Sequence, residues 1–325
     1  MLGRSPILAL AILAAPGGPS TFGEEPSPPG AQEGCQPLPG AFRFRVGKVR
    51  VTALSDGTVP INLHELLRDT TPEEVDRLLA RSFLANPVEA SIIAFLVEDG
   101  SRRVLVDTGA GELFGPGLGG KLPAGLAAVG CRPEQVDDIL ITHVHTDHSG
   151  GLVVGGKLGF PNATVHVARE DADFFLDLSN AERAGYDRHY FEQAEKTLGP
   201  CVRAGKVRTF SGRTAILPGI TAIPTPGHTP GSSAYLLESE GDRIEFWGDL
   251  IHVAQVQFPR PSITIASDVD RSAAARQRAA QFDRAAQERK LVAAPHLPFP
   301  GVGHLRAEGE GYAWVPLPYR DREGK

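Results

Sequence analysis

Hydrophobic and polar residues alternate along this chain in short runs typical of half-buried β-strands. Between the runs lie turn sequences rich in glycine, asparagine, aspartate and serine, such as 55–58 and 98–101. The pattern occurs in two halves of the chain. The runs predict strands at 42–46, 49–54, 91–97, 103–109 and 139–141 in the first half, and at 163–168, 208–210, 220–223, 233–237 and 242–247 in the second.

Helices are predicted between the strands in both halves. Thr71, Pro72, Glu73 and Glu74 form a typical helix start, with an N-cap residue, a proline at the first position and acidic residues in the first turn. Two halves that each combine strands and helices predict an α/β protein, specifically a four-layer αββα sandwich. The predicted helices cover 71–83, 122–129, 171–178, 190–198 and 269–290, with a single helical turn at 132–136.

A dense set of metal-ligand side chains follows the apolar run 139–141. His143 and His145 are two residues apart, so an extended backbone places them on one side. Asp147 and His148 follow where the chain turns, and they are positioned to face a second ion beside the first. Gly150 and Gly151 allow the backbone to pack tightly against this charged segment. The motif predicts a binuclear metal hydrolase whose site lies at one edge of the two facing sheets.

Three further candidate ligands occur later in the chain. His228 lies in a Pro-Gly-His-Thr-Pro-Gly turn, and Asp249 and His296 each follow an apolar, strand-like run. Open α/β sheets build their sites at these strand ends. Imidazole and carboxylate donors without thiolate favour two divalent ions, zinc first, with manganese, cobalt and iron as alternatives.

The alternative interpretation is that these histidines are structural. A single HxH pair is often accidental, and a single buried histidine belongs more often to a core than to a metal site. Seven candidate ligands in this order and context argue against chance. Apart from His252, the remaining histidines are expected to be structural or exposed. They are His64, His166, His189 and His304.

Composition limits the partners. Hydrophobic residues make up 41% of the 325 residues, and the formal net charge is −6. This balance favours neither nucleic acid nor an anionic membrane, so a small-molecule substrate is expected. The cysteines, Cys35, Cys131 and Cys201, form no CxxC pattern; one disulfide is possible, and the spacing does not identify the pair.

The N-terminal segment 1–29 resembles an export signal followed by a flexible tail. Its apolar stretch, 7–15, is too short to span a bilayer. The alternative is a misassigned start or a frayed tail. We expect a periplasmic or secreted protein whose residues 30–325 form a single domain, without a later transmembrane helix.

With these residues identified, the chain resembles the metallo-β-lactamase superfamily. The HxHxDH motif, His228, Asp249 and His296 match its binuclear pattern one by one, and Asp107 matches an aspartate that supports the ligand loop. The likeness is greatest to methyl parathion hydrolases and their lactone-hydrolysing relatives. It is carried by 53–59, 113–116, 248–251 and 296–309. The resemblance implies secreted homodimers with an aromatic substrate pocket, formed here by Phe114, Phe175 and Phe191.

One position departs from the organophosphate-hydrolysing members, which carry an apolar residue three positions after the bridging aspartate. Here that residue is His252, and an imidazole near the metals suits a carbonyl substrate better than a bulky aryl phosphotriester. We therefore expect lactone or aryl ester hydrolysis with promiscuous organophosphate triesterase activity. The alternatives are a primary organophosphate hydrolase, a β-lactamase, a thioesterase, a nuclease and a metal-binding module without catalysis.

The expected mechanism follows from the ligand order. The first ion is assigned to His143, His145 and His228, and the second to Asp147, His148 and His296, with Asp249 across both. Two ions roughly 3.5–4 Å apart can share a hydroxide that attacks the carbonyl carbon. Asp147 and Asp249 are the predicted catalytic residues, Asp147 passing a proton to the leaving alkoxide.

Overall fold

Two seven-stranded sheets form the centre of the protein. The computed structural model describes residues 40–320. The first sheet has the order β1-β2-β4-β5-β6-β9-β10 and the second β11-β12-β13-β14-β16-β17-β18. The strands are β1 (Ala41–Val46), β2 (Val49–Ile61), β3 (Leu67–Arg68), β4 (Val88–Glu98), β5 (Arg103–Val106), β6 (Asp138–Leu140), β7 (Val153–Val154), β8 (Lys157–Leu158), β9 (Thr164–Ala168), β10 (Val207–Phe210), β11 (Thr214–Leu217), β12 (Ile220–Pro224), β13 (Ser233–Ser239), β14 (Asp242–Phe246), β15 (Thr264–Ile265), β16 (Leu291–Ala293), β17 (Val302–Glu308) and β18 (Gly311–Pro316).

Helices cover the outer face of each sheet. α3, α5, α6 and α7 pack on the first sheet, and α8 and α9 pack on the second. Two 3-10 turns, 133–135 and 150–152, complete the connections. The helices are α1 (Leu63–Leu66), α2 (Pro72–Ala80), α3 (Leu122–Ala128), α4 (Thr146–Ser149), α5 (Arg169–Phe175), α6 (Ser179–Ala184), α7 (Arg188–Arg203), α8 (Ala254–Gln257) and α9 (Arg271–Gln287).

The alternation of side chains along each strand divides the core into three layers. In β4, Ala94 and Leu96 point to the helices of the first sheet. Phe95 and Val97, from the same strand, pack between the sheets, where Phe95 meets Phe246 of the second sheet at 5.4 Å between ring centroids. A separate core lies between the second sheet and α9. The predicted αββα sandwich is therefore confirmed.

Several strands end at the same edge of the sandwich. β14 and β16 are parallel, with Phe246 opposite Ala293. Asp249 and His296 each come three residues after these positions, so they emerge side by side. The two sheets are tied together here, because Tyr235 of β13 donates its hydroxyl to the carbonyl of Ile141, just before the HxHxDH segment.

Some predicted elements were wrong in extent. Residues 55–58, predicted as a turn, form a β-bulge in a strand that continues to Ile61. The bulge turns the Asp56 carboxylate inward, where it accepts hydrogen bonds from the backbone of Ala110, Gly120 and Leu122. The second sheet also continues beyond the strand predicted at 242–247, with β16, β17 and β18.

The predicted signal segment 1–29 lies outside the described residues, as does Cys35. Cys131 and Cys201 are both buried free thiols. Between residues 40 and 320, no helix combines the length and apolar character needed to cross a bilayer.

Candidate metal centre

The structure brings the seven predicted ligands together in two adjacent clusters. The first contains His143, His145, His228 and Asp249. His145 Nδ1 lies 3.1 Å from His143 Nε2 and 3.0 Å from His228 Nε2. The Oδ2 atom of Asp249 completes this group, 3.5 Å from His143 Nε2 and 3.3 Å from His228 Nε2.

The second cluster contains Asp147, His148 and His296. Asp147 Oδ2 lies 3.7 Å from His148 Nε2 and 3.3 Å from His296 Nε2. The other oxygen of Asp249, Oδ1, lies 3.2 Å from His148 Nε2 and 3.1 Å from His296 Nε2. Asp249 therefore presents one oxygen to each cluster, as a bridging carboxylate must.

The hydrogen bonds at the opposite ring nitrogens determine which imidazole atom is free to bind a metal. The Nδ1 of His148 donates to Asp107, at 2.9 Å, and that of His228 donates to Asp268, at 2.8 Å. His296 Nδ1 donates to the carbonyl of Ser91, at 2.8 Å. Each of these partners accepts the Nδ1 hydrogen, so Nε2 is the nitrogen that faces the cluster and can bind a metal once its own proton is displaced.

His143 is oriented in a similar way, but Thr142 lies between it and the carboxylate of Asp107. Thr142 donates its hydroxyl hydrogen to Asp107 Oδ2, at 2.8 Å. The Thr142 hydroxyl oxygen, whose hydrogen is donated to Asp107, therefore accepts from His143 Nδ1, 3.2 Å away. Asp107 also accepts from the Thr142 backbone N–H, so this one carboxylate holds the ligand segment at both ends. Asp107 has a left-handed backbone, φ 57°, a strained conformation of the kind that concentrates at functional sites.

Close backbone packing holds the ligand segment against the first sheet. A Cβ atom at Gly150 would lie 2.1 Å from the carbonyl oxygen of Ala110, and one at Gly151 would lie 2.2 Å from that of Thr108. No side chain can be accommodated at these distances. The tight turn expected from the two glycines is therefore present.

The electrostatics of the site favour positive charge beside its carboxylates. Burial acts to lower the pKa of His228 and of His296. The carboxylates outweigh it: Asp249 and Asp268 raise the pKa of His228 to about 9, and Asp249 and Asp147 raise that of His296 to about 10. Burial raises the pKa of Asp249, yet the charges of His148 and His296 hold it well below its usual value.

The donor set fits two divalent cations. His148 Nε2 and Asp249 Oδ1 are buried without a hydrogen-bond partner, an arrangement that costs free energy unless a further group binds there. Imidazole nitrogens and carboxylate oxygens are suitable ligands for zinc in a catalytic site. In such a centre His143, His145 and His228 would hold one ion, Asp147, His148 and His296 the other, and Asp249 both.

The cluster opens into a cavity of about 650 Å³, its mouth included. One wall is apolar, and the other carries the candidate ligands. None of the residues that line it within 40–320 is a lysine or an arginine. The lining residues are Val59, Ile61, Leu66, Phe114, His145, Thr146, Asp147, His189, Tyr190, Asp249, His252, Ile265, Ser267 and His296.

Two of the three predicted pocket aromatics do not line this cavity. Phe114 does, but Phe175 and Phe191 are each 1% exposed and pack in the core between α5, α7 and the first sheet. Phe175 lies under His145, 5.4 Å between ring centroids. The prediction for these two residues was wrong, because apolar helix positions turn toward the sheet they cover. Tyr190 and His189 reach the cavity instead.

His252 lies at the cavity beside the bridging carboxylate. Its Nε2 is 2.9 Å from Asp249 Oδ2, and its ring stacks on that of His296 at 5.4 Å. Its Nδ1 is buried without a hydrogen-bond partner. Burial lowers the pKa of His252. Its imidazole is therefore neutral where it contacts Asp249.

Sequence reasoning missed the residues that hold the ligands from behind. Asp268, which orients His228, was not among the predicted site residues. Asp171 accepts hydrogen bonds from Val144 and Gly231 and from the Thr229 hydroxyl. It thereby joins the two ligand loops. Asp268 comes three residues before the start of α9, a weak signal, and nothing in the local sequence of Asp171 distinguishes it from a solvated helix residue.

Comparison with known proteins places the chain in a family. The family model of the metallo-beta-lactamase superfamily matches residues 91–296, which is more than half of the chain. The solved hydrolase AbOPH of the beta lactamase superfamily is 37% identical. It aligns over 88% of this chain and 100% of its own, with a TM-score of 0.83. The chain belongs to the metallo-beta-lactamase superfamily, and it is a metal-dependent hydrolase by family.

Two lactonases are among its relatives. AidC, a dizinc quorum-quenching lactonase solved with the product N-hexanoyl-L-homoserine, is 26% identical over 87% of this chain and 99% of its own, with a TM-score of 0.78. An N-acyl homoserine lactonase from Bacillus sp. is 29% identical over 116 residues. That match spans 35% of this chain and only 38% of the Bacillus protein.

Proposed function

We propose that this protein hydrolyses neutral lactones or aryl esters with two divalent cations, zinc first among them, and that phosphotriesters are turned over as a side reaction. The observation that carries the proposal is a bridging carboxylate, Asp249, between two donor clusters at the floor of a small cavity.

The cavity suits an uncharged substrate with an apolar group. The apolar wall of the cavity is lined by five side chains, and Ile61 packs against both core clusters to which the others belong: Val59, Ile61, Leu66, Phe114 and Ile265. A fully buried apolar side chain or substrate group of similar size contributes about 1.5–3 kcal/mol. Among residues 40–320, those that line the cavity include no lysine or arginine that could bind a substrate carboxylate. This composition favours a lactone or ester over a β-lactam, which carries such a group.

When bound by the two clusters, the cations would acidify water and neutralise negative charge. The side chains of this protein supply position and proton transfer. Asp249 keeps the two clusters at a set separation, and His252 donates from Nε2 to its Oδ2 atom. The apolar wall holds the acyl or aryl group and keeps bulk water from it.

Asp147 is suited to move the proton. Its side chain is 15% exposed and lines the cavity floor. Burial raises the pKa of Asp147, but His148 and His296 lower it below its usual range. Asp147 therefore begins as a carboxylate. It would accept a proton from the attacking water and pass it to the leaving alkoxide, so Asp147 is again a carboxylate at the end, and the carboxylic acid product releases its own proton to solvent.

The relatives support a lactone-type substrate. The product named in the AidC structure is the opened form of a homoserine lactone, and the Bacillus relative is named as a lactonase. A neutral His252 beside Asp249 supports the same choice, because it places a hydrogen-bonding group where the organophosphate hydrolases are apolar. A primary organophosphate hydrolase is the second candidate, favoured by the apolar wall alone.

The test is a ranking of kcat/KM for the purified protein. The substrates are an aliphatic lactone, an aromatic lactone, an aryl ester, a phosphotriester and a chromogenic cephalosporin, each assayed after loading with zinc and after chelation. We expect the lactones or the aryl ester to rank first and chelation to abolish every activity. A phosphotriester or the cephalosporin in first place would overturn the proposal.

His228→Ala serves as the inactive reference. It leaves the first cluster two imidazoles and a shared carboxylate, so we expect loss of bound metal and of turnover with the fold retained. Activity of this variant in metal-free buffer at the wild-type level would exclude a metal-dependent mechanism.

Export and dimerisation are part of the same proposal. Segment 1–29 supports export to the periplasm or beyond the cell, and the resemblance to secreted dimeric hydrolases supports a homodimer. Cell fractionation with N-terminal sequencing, and light scattering of the purified protein, test these two points separately.

A further inference from the structure

His145 differs from the other candidate ligands because it faces the first cluster through Nδ1. This atom lies 3.1 Å from His143 Nε2 and 3.0 Å from His228 Nε2. Its Nε2 is turned to the opposite side, where the hydroxyl oxygen of Tyr186 lies 3.2 Å away. The orientation of His145 therefore depends on a residue from the segment between α6 and α7.

The hydroxyl hydrogen of Tyr186 forms a hydrogen bond away from His145. It is donated to the carbonyl oxygen of Ser267, at 2.6 Å. A hydroxyl has one hydrogen, so toward His145 the oxygen of Tyr186 can only accept. The proton of the imidazole is thereby kept on Nε2, and Nδ1 keeps the lone pair that faces the first cluster.

The carbonyl that receives this hydrogen belongs to a dipeptide that also holds a second ligand. The next residue, Asp268, accepts from His228 Nδ1 with one carboxylate oxygen and from the Ile265 backbone N–H with the other. Ser267 and Asp268 thus control the outward nitrogens of His145 and His228 together. Both of these histidines belong to the first cluster, and neither belongs to the second.

The surroundings of Tyr186 suit a fixed support rather than a substrate contact. Its ring packs on those of Phe174, Phe175, Tyr190 and Phe191, at 4.9–6.4 Å between centroids. Tyr190, not Tyr186, lines the cavity. Tyr186 consequently reaches the site through His145.

We propose that Tyr186 is a positioning residue for the first metal ion alone, acting with Asp268 through the Ser267–Asp268 dipeptide to set the proton position and direction of His145 and His228. This inference rests on the proposed function, since it assigns a role in the same binuclear site. It predicts unequal effects on the two ions, which a general loss of stability would not produce.

The experiment titrates Co²⁺ into metal-free protein and follows visible absorption, with a competing chelator to obtain both dissociation constants. His228→Ala and His296→Ala identify which equivalent belongs to the first and which to the second cluster. Tyr186→Phe removes the hydroxyl and keeps the ring. Tyr312→Phe makes the same change in β18, where the ring packs on Phe282, and is the matched control.

We expect Tyr186→Phe to lower the affinity for the metal equivalent that His228→Ala loses. The expected decrease is about 10–100-fold, the range found for residues that orient a metal ligand. The other equivalent should stay within threefold of the Tyr312→Phe value. Equal affinities in both tyrosine variants would overturn the inference, and so would equal weakening of both ions. Fewer than two equivalents in the wild-type protein would instead overturn the proposed function.

Asp268→Asn provides a second route that does not depend on the folding of Tyr186→Phe. It should weaken the same equivalent, because an amide cannot accept at both of the oxygens that His228 and Ile265 use. In the double variant, the fold-loss in affinity for this equivalent should be smaller than the product of the two single-variant fold-losses. The reason is that both side chains act through the same dipeptide. Weakening of the second ion by Asp268→Asn would contradict the assignment.

Discussion

Asp249 is the side chain on which both metal clusters depend. Its Oδ1 faces His148 and His296, and its Oδ2 faces His143, His228 and His252. A carboxylate has the lone pairs for such a role, whereas an amide would replace one acceptor by a donor. Replacing Asp249 should therefore affect both metal clusters.

Asp249→Asn should bind less metal and lose more than about 100-fold in kcat/KM, because one cluster would face an NH₂ group. Metal content by elemental analysis and kcat/KM for a lactone measure this. Asp283→Asn, an exposed change on α9, is the control. Wild-type metal content in Asp249→Asn would refute the bridging role.

His252→Leu tests the selectivity argument. Removing the imidazole that donates to Asp249 should lower kcat/KM for lactones by about 10-fold, the effect of losing one hydrogen bond to a charged group. The apolar leucine should favour the phosphotriester, so the ratio of the two kcat/KM values is the measurement. His304→Leu, in β17, controls for the change in side chain. An unchanged ratio would remove His252 from specificity.

At the scale of elements, the site depends on the joining of two ligand loops. Asp171, in α5, accepts from Val144 in the HxHxDH segment and from Thr229 and Gly231 in the loop of His228. Burial raises the pKa of Asp171 to about 6, although these donors oppose the shift. Above that pH an ionised carboxylate is surrounded by donors.

Asp171→Asn should destabilise the metal-free protein by about 1–3 kcal/mol at pH 8, because its NH₂ group would face a donor in the buried site. Urea unfolding of the metal-free variant measures the free energy. Asp173→Asn, two residues away and exposed on the same helix, is the control. Equal unfolding free energies for both variants would show that Asp171 does not join the loops.

The helices and strands differ in how well their local sequence predicts them. The start of α2 was predicted from its cap, and Thr71 indeed accepts from the backbone N–H of Glu74. The bulge at Ser55–Gly57 was predicted as a turn, since a turn and a bulge use the same residues. Pairing of β2 with β4 on both sides of the bulge decides between them, and pairing is not a local property.

For the whole molecule, metal binding and protonation compete. In the metal-free protein the carboxylates raise the pKa of His228 to about 9 and that of His296 to about 10. Both imidazoles are then protonated at pH 7, and metal must displace these protons. Metal affinity should therefore rise with pH between 6 and 9.

Stability of the metal-free protein should show the opposite trend. A histidine whose folded pKa is raised stabilises the fold fully below its unfolded value, near 6.5, and that contribution is lost as pH rises through 9–10. The metal-loaded protein lacks these protons and should keep its stability across this range. Melting temperature against pH, with and without chelator, measures both curves. Parallel curves would contradict the linkage.

The sandwich fold and the seven side chains gathered at its edge could be predicted from the sequence alone. Strand periodicity and ligand spacing are local, and strand ends of one sheet meet at one edge, so both could be predicted without coordinates. The residues that orient those ligands and the residues that line the cavity are defined by long-range packing. Asp171, Tyr186 and Asp268 act across long sequence separations, and Phe175 and Phe191 are core rather than pocket because the packing of α5 and α7 on the first sheet turns them inward. Such contacts depend on how helices and loops pack, which no short stretch of sequence encodes.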